Sequence, residues 1–161
     1  MDQFRLEFTI KGNQDNPKAN PVPYTRANRG GSWSPPVVRY HAWCNYVREA
    51  FLDGCQAWYP GKREIEVGNV AVIRPYALSH KERPISILVD PTKIHVTMST
   101  DITFRLTKAG KAGNHGDADN ILKGILDSLF SEDKAVGEGH FHTEYGDSGH
   151  VEVSLLIQPG G

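Results

Sequence analysis

The chain has 161 residues, 39% of them hydrophobic and 23% charged, which is the size of one ordinary domain with enough apolar material for a core. No apolar run approaches the roughly 20 residues that a membrane span needs, and Met1-Asp2-Gln3-Phe4-Arg5 lacks the apolar stretch of a signal peptide. The expectation is therefore a single cytoplasmic domain over 1–161; for its two cysteines, Cys44 and Cys55, two thiols are the cytosolic norm and one disulfide is the alternative. A net charge of −1 does not by itself announce a nucleic-acid binder.

Along the chain, Phe4, Leu6, Phe8 and Ile10 alternate with polar residues, the pattern of a half-buried strand over 4–10. A long Gly-, Asn-, Pro- and Arg-rich loop over 11–36 follows, and loops of that length in compact domains are functional or disordered. Ser34-Pro35-Pro36 opens a helix over 37–52, because proline in the first turn sacrifices no hydrogen bond. Val47, Ala50 and Phe51 face inward there, with Arg39 and Arg48 expected in solvent. Strand-like alternation returns over 65–73, 85–89 and 93–106, with 74–93 otherwise read as an insertion. A polar Gly/Lys loop over 107–116 precedes a helix over 119–130. Val151, Val153, Leu155 and Ile157 then alternate as a closing strand. Strands outnumber helices and do not alternate with them as βαβ units. The expected class is α+β: a mixed or antiparallel sheet with two principal helices.

Charge is unevenly spread. Residues 11–40 carry Lys11, Lys18, Arg26, Arg29 and Arg39 against Asp15, whereas 132–152 carry Glu132, Asp133, Glu138, Glu144, Asp147 and Glu152 against Lys134. Two readings stand: an unevenly charged solvated surface, or a basic segment that holds a polyanion beside an acidic one that holds cations.

The most informative segment is Asp117-Ala118-Asp119-Asn120-Ile121-Leu122-Lys123, continuing to Asp127-Ser128-Leu129. At 100° per residue Ile121, Leu122, Ile125, Leu126 and Leu129 share one face, while Asp119, Lys123 and Asp127 form a polar ridge opposite. Paired aspartates at a helix start have a structural explanation, since Asp caps helices and suits the positive end of the dipole. They have a functional one as well: Mg²⁺ is held by one or two carboxylates together with water and substrate phosphate. Glu132-Asp133 follows the helix directly. If the chain folds back as a strand, it returns a third carboxylate to Asp117 and Asp119 beside Lys123, a set suited to phosphoryl transfer.

The pattern Asp117-x-Asp119-Asn120-x-x-Lys123-x-x-x-Asp127-x-Leu129, followed by Glu132-Asp133-x-x-Val136, resembles the RusA family of Holliday junction resolvases. Asn20-Pro21 and Tyr24 to Arg26 in the N-terminal loop extend the likeness, which covers both ends of the chain but not 74–116. The resemblance implies a RusA-like fold and a homodimeric, Mg²⁺-dependent endodeoxyribonuclease, with Mn²⁺ able to substitute. Such an enzyme, of phage or prophage type, nicks four-way DNA junctions in recombination and repair. By the same resemblance Asp117, Asp119 and Asp133 are metal ligands and Lys123 is the catalytic lysine. The interval before the acidic pair is shorter than in the family, so Glu132 and Asp133 both remain as third ligand. The alternative function is a non-catalytic nucleic-acid-binding module of the same fold.

Lys11, Lys18, Arg26 and Arg29 are the expected DNA contacts. Lys108 and Lys111 join them if their loop touches phosphate rather than forming an ordinary turn; the loop lacks the Gly-Lys-Ser/Thr ending of a P-loop. His115, His140 and His142 raise a zinc reading that no cysteine cluster supports. Trp33, Tyr40 and Trp43 lie near the basic loop, where aromatic rings can stack on bases, with core packing the better reading for Trp43.

Overall fold

A computed structural model describes residues 1–14, 16–26, 34–76 and 82–160. Strand β1 (Phe4–Lys11) alternates buried and exposed side chains throughout, as the period-2 pattern requires. Helix α1 (Pro35–Trp58) runs six residues past the expected end. A Cβ at Gly54 would lie 2.9 Å from that of Phe8, so this glycine is where α1 crosses close over β1, not a stop. Val37, Tyr40, Cys44, Val47, Phe51 and Cys55 recur at helical spacing on the buried face.

The expected strand over 65–73 is a hairpin instead. Strands β2 (Ile65–Val67) and β3 (Ala71–Ile73) pair antiparallel, with Val67 opposite Ala71. The reversal is at Gly68, whose φ of 50° is a conformation that glycine adopts without strain. Strand β4 (Ile85–Ile87) pairs antiparallel with β3. The stretch read as an insertion therefore completes a three-stranded sheet. That sheet is tied to the rest of the fold where the Ser131 amide donates to the Ile85 carbonyl at 3.0 Å.

The main sheet contains β1, β5 (Ile94–Arg105), β6 (Glu138–Gly146) and β7 (His150–Pro159) in the order β1-β7-β5-β6. β7 is antiparallel to β1 and β5, whereas β6 is parallel to β5. Helix α2 (Ala118–Leu129) is the crossover between β5 and β6, so the chain does contain one βαβ unit. β6 escapes a reading by periodicity because Glu138 to Tyr145 is exposed on both faces. Leu6, Leu155, Met98 and Gly139 occupy one cross-strand row. That face, with Phe4, Phe8, Ile10, Val96, Val151 and Ile157, packs beneath the helices. Each fully buried Leu, Ile or Phe there contributes about 1.5–3 kcal/mol. The fold is a single α+β domain with a mixed sheet and two principal helices. Among the described residues no helix is long and apolar enough to cross a membrane.

Candidate functional site

Helix α2 positions the motif. Ile121, Leu122, Ile125 and Leu129 are buried against the sheet, which turns Asp119 and Lys123 outward, both exposed. Asp117 is the N-cap residue, and its carbonyl accepts from the Ile121 amide at 3.0 Å. Its side chain makes no cap hydrogen bond and is exposed. The structural account of Asp117 as a capping side chain is therefore not realised. Asp119 lies in the first turn, where the helix dipole favours a negative charge.

The N-terminal loop is drawn to this end of α2. Asn20 accepts from the Arg105 amide at 2.6 Å and donates to the Asn114 carbonyl at 3.3 Å. Pro23 packs so closely on Gly116 that a Cβ there would lie 2.6 Å from that of Pro23. The Tyr24 amide donates to the Asn120 carbonyl at 3.0 Å. Lys123 Nζ lies 4.4 Å from the centre of the Tyr24 ring, a cation–π contact that favours one position of a flexible ammonium.

The polar ridge then divides. Asp127 accepts a 2.6 Å hydrogen bond from the Tyr40 hydroxyl and lies 3.7 Å from Arg83, which commits it to holding elements together. Burial above all, with Cys44 and Asp127 beside it, pushes the Tyr40 hydroxyl above its usual range, so it stays a donor. Arg48, expected in solvent, is only 1% exposed. It donates through Nε to the Ser128 carbonyl at 2.8 Å, satisfying a carbonyl in the last turn of α2 that has no partner within the helix, and through Nη1 to Asn45 Oδ1 at 2.9 Å. Tyr40 and Trp43 are both buried and are not available to stack on bases. Trp33 lies outside the described residues.

Asp133 opens a 3₁₀ turn, Asp133–Ala135, beyond the C-terminal end of α2, and both it and Glu132 are exposed. The 12 residues of α2 span about 18 Å at the usual rise. The chain enters β6 at the far end, where the Gly137 amide donates to the Val96 carbonyl at 3.1 Å. Among the described residues no three His, Cys, Asp or Glu side chains are grouped to hold a metal. One chain thus brings Asp117, Asp119 and Lys123 together on one end of α2 and leaves Asp133 at the other. His140 and His142 sit on β6 and do not form a zinc group with His115 either.

Of the expected DNA contacts, Lys11, Lys18, Arg26, Lys108 and Lys111 are all exposed, and Arg29 lies outside the described residues. Lys108 and Lys111 belong to a tight turn closed by the Thr107 amide on the Lys111 carbonyl at 2.7 Å, and Gly110 adopts φ 75° there. This turn lies between the end of β5 and the start of α2, so it shares an end of the sheet with Asp117. Sequence reasoning missed the surroundings of His115, which stacks on Phe104 at 3.7 Å between ring centres. Its Nε2 lies 3.0 Å from the Tyr145 hydroxyl. No local signal announces that contact, because it exists only once β6 pairs with β5. The protein-family models, curated proteins and solved structures compared with the chain contain no match to it.

Proposed function

We propose that the chain is a Mg²⁺-dependent, structure-selective endodeoxyribonuclease of RusA type that resolves four-way DNA junctions by paired nicks. One observation carries the reading: Asp117 occupies the N-cap position yet caps nothing, which leaves its carboxylate available beside that of Asp119. Oxygen donors, exposed and not committed to capping, are the ligands Mg²⁺ or Mn²⁺ prefers. In this reading Asp117 and Asp119 hold the cation, and Lys123, steadied over Tyr24, contacts the scissile phosphate. A bound divalent ion would neutralise developing charge on phosphate and lower the pKa of water. Lys18, Arg26, Lys108 and Lys111 supply phosphate contacts at the same end of the molecule. Two symmetric nicks require two sites related by a two-fold axis, hence a homodimer.

The separation of Asp133 from Asp117 within one chain favours a second reading, a nucleic-acid-binding module without catalysis. Incubation with a synthetic four-way junction and with its linear duplex arms distinguishes them. The enzyme nicks the junction in Mg²⁺ and is silent in EDTA; binding without nicking in either condition leaves only the module.

A further inference from the structure

Tyr145 lies on the helix-facing side of β6, and its ring is 48% exposed. The ring is held in place all the same. Its hydroxyl lies 3.0 Å from His115 Nε2. His115 in turn stacks on the buried Phe104 and directs Nδ1 at the Gly116 carbonyl, 2.8 Å away. Phe104 is the cross-strand neighbour of Tyr145 in the parallel β5–β6 register, with ring centres 5.9 Å apart. Three aromatic rings thus support one another, and one of them presents much of its surface to solvent. A side chain fixed in this way loses little conformational freedom when a ligand packs on it.

The surroundings of the ring specify the ligand. The Leu106 amide donates to the Gly146 carbonyl at 2.8 Å. That bond sets the turn carrying the exposed Lys108 and Lys111 against the end of β6. On the other side His115 precedes Asp117 by two residues, a Cα separation of no more than about 7 Å. Glu144 alternates to the opposite face of the strand, where it accepts from the Thr103 hydroxyl at 3.3 Å. A flat apolar surface bordered by ammonium groups is complementary to a nucleobase on its phosphate backbone. Aromatic side chains stack on any base, and lysines contact phosphate. Bases inside a duplex are already stacked, and extruding one is least costly where it is unpaired. Phe141, also exposed, lies about 13 Å further along the strand from the basic turn.

We propose that Tyr145 is a stacking platform for one unpaired base of branched DNA, and that this contact separates a branch point from its duplex arms. The base it holds belongs to the strand whose phosphates meet Lys108 and Lys111, next to Asp117 and Asp119. That the neighbouring phosphate is the one cut rests on the nuclease reading; the stacking does not.

Binding of the full chain to a synthetic four-way junction and to its duplex arms, measured in EDTA, tests this without any cutting. Tyr145→Leu should weaken junction binding by about 5- to 140-fold, the range for loss of one base–aromatic stack, and leave duplex binding at its native value. Tyr145→Phe keeps the ring and gives up the contact with His115; it should bind the junction as the native protein does. Phe141→Leu should do the same. In the native protein, 5-iodouracil placed at the branch point should photocrosslink to Tyr145. Native junction affinity in Tyr145→Leu overturns the platform, as does crosslinking only to other residues. Equal losses in Tyr145→Phe would assign Tyr145 to anchoring His115, and equal losses in Phe141→Leu would assign the effect to exposed apolar surface in general; either result also overturns it. If the native protein nicks junctions and Tyr145→Leu binds them normally, the platform alone falls. If the native protein cuts nothing yet binding depends on the Tyr145 ring, the nuclease reading alone falls.

Discussion

At the scale of single residues, the two cysteines and Asp119 carry distinct expectations. Burial pushes the Cys55 thiol up to about 12 and raises that of Cys44. A thiol held above its ordinary value of 9.0 contributes stability that is fully present below that value. The contribution is lost as pH rises through the folded value. Native protein at pH 8 should therefore resist a thiol-reactive dye and become fully labelled in denaturant, and its melting temperature should fall on moving from pH 8 to pH 11. Rapid labelling of the native chain would show that Cys44 and Cys55 are reached by solvent. Asp119→Asn keeps the shape of an exposed first-turn residue and gives up a dipole interaction of about 0.3–1 kcal/mol. It should keep its circular dichroism and junction affinity while losing nicking at least a hundredfold; loss of folding would reassign Asp119 to helix stability. The motif itself was legible in the sequence, because spacing alone sets which side chains share a helix face. Arg48 was not, because its carbonyl partner lies 80 residues away at Ser128.

At the scale of elements, helix α1 is held by two contacts that local propensity does not report. Gly54→Ala removes a flexible residue, worth about 1 kcal/mol in an isolated helix. Its new methyl would meet the Cβ of Phe8 at 2.9 Å, and overpacking of that kind costs about 1–3 kcal/mol. The variant should be no more stable than the native protein in urea, and a clear gain would show that α1 moves freely over β1. Arg48→Met keeps the apolar stem but leaves the buried Ser128 carbonyl without its charged donor. Loss of about 1.5–3 kcal/mol is expected by the same measurement. The strand alternation over 65–73 was legible and its reversal was not, since apolar periodicity reads the same through a hairpin when Gly68 supplies the turn.

At the scale of the whole molecule, the uneven charge gains a location. Asn20 ties the basic loop to the end of β5, so Lys18, Arg26, Lys108 and Lys111 share an end of the sheet with Asp117. Each lost phosphate contact reduces the dependence of log affinity on log salt by about 0.9. Lys18→Ala with Arg26→Ala should therefore weaken junction binding and flatten that slope by about 1–2; a slope equal to the native one would return both side chains to bulk solvent.

The sequence alone determined the α+β class, the buried faces of β1, β5, β7 and α2, and the grouping of Asp117, Asp119 and Lys123. All of these follow from local spacing in the chain. Only the tertiary structure decided that β6 is an exposed edge, that Asp127 and Arg48 lock α1 to α2, and that α2 holds Asp133 away from the other carboxylates. These depend on which distant segments pair, and in which direction, and the short-range pattern of side chains carries no record of that.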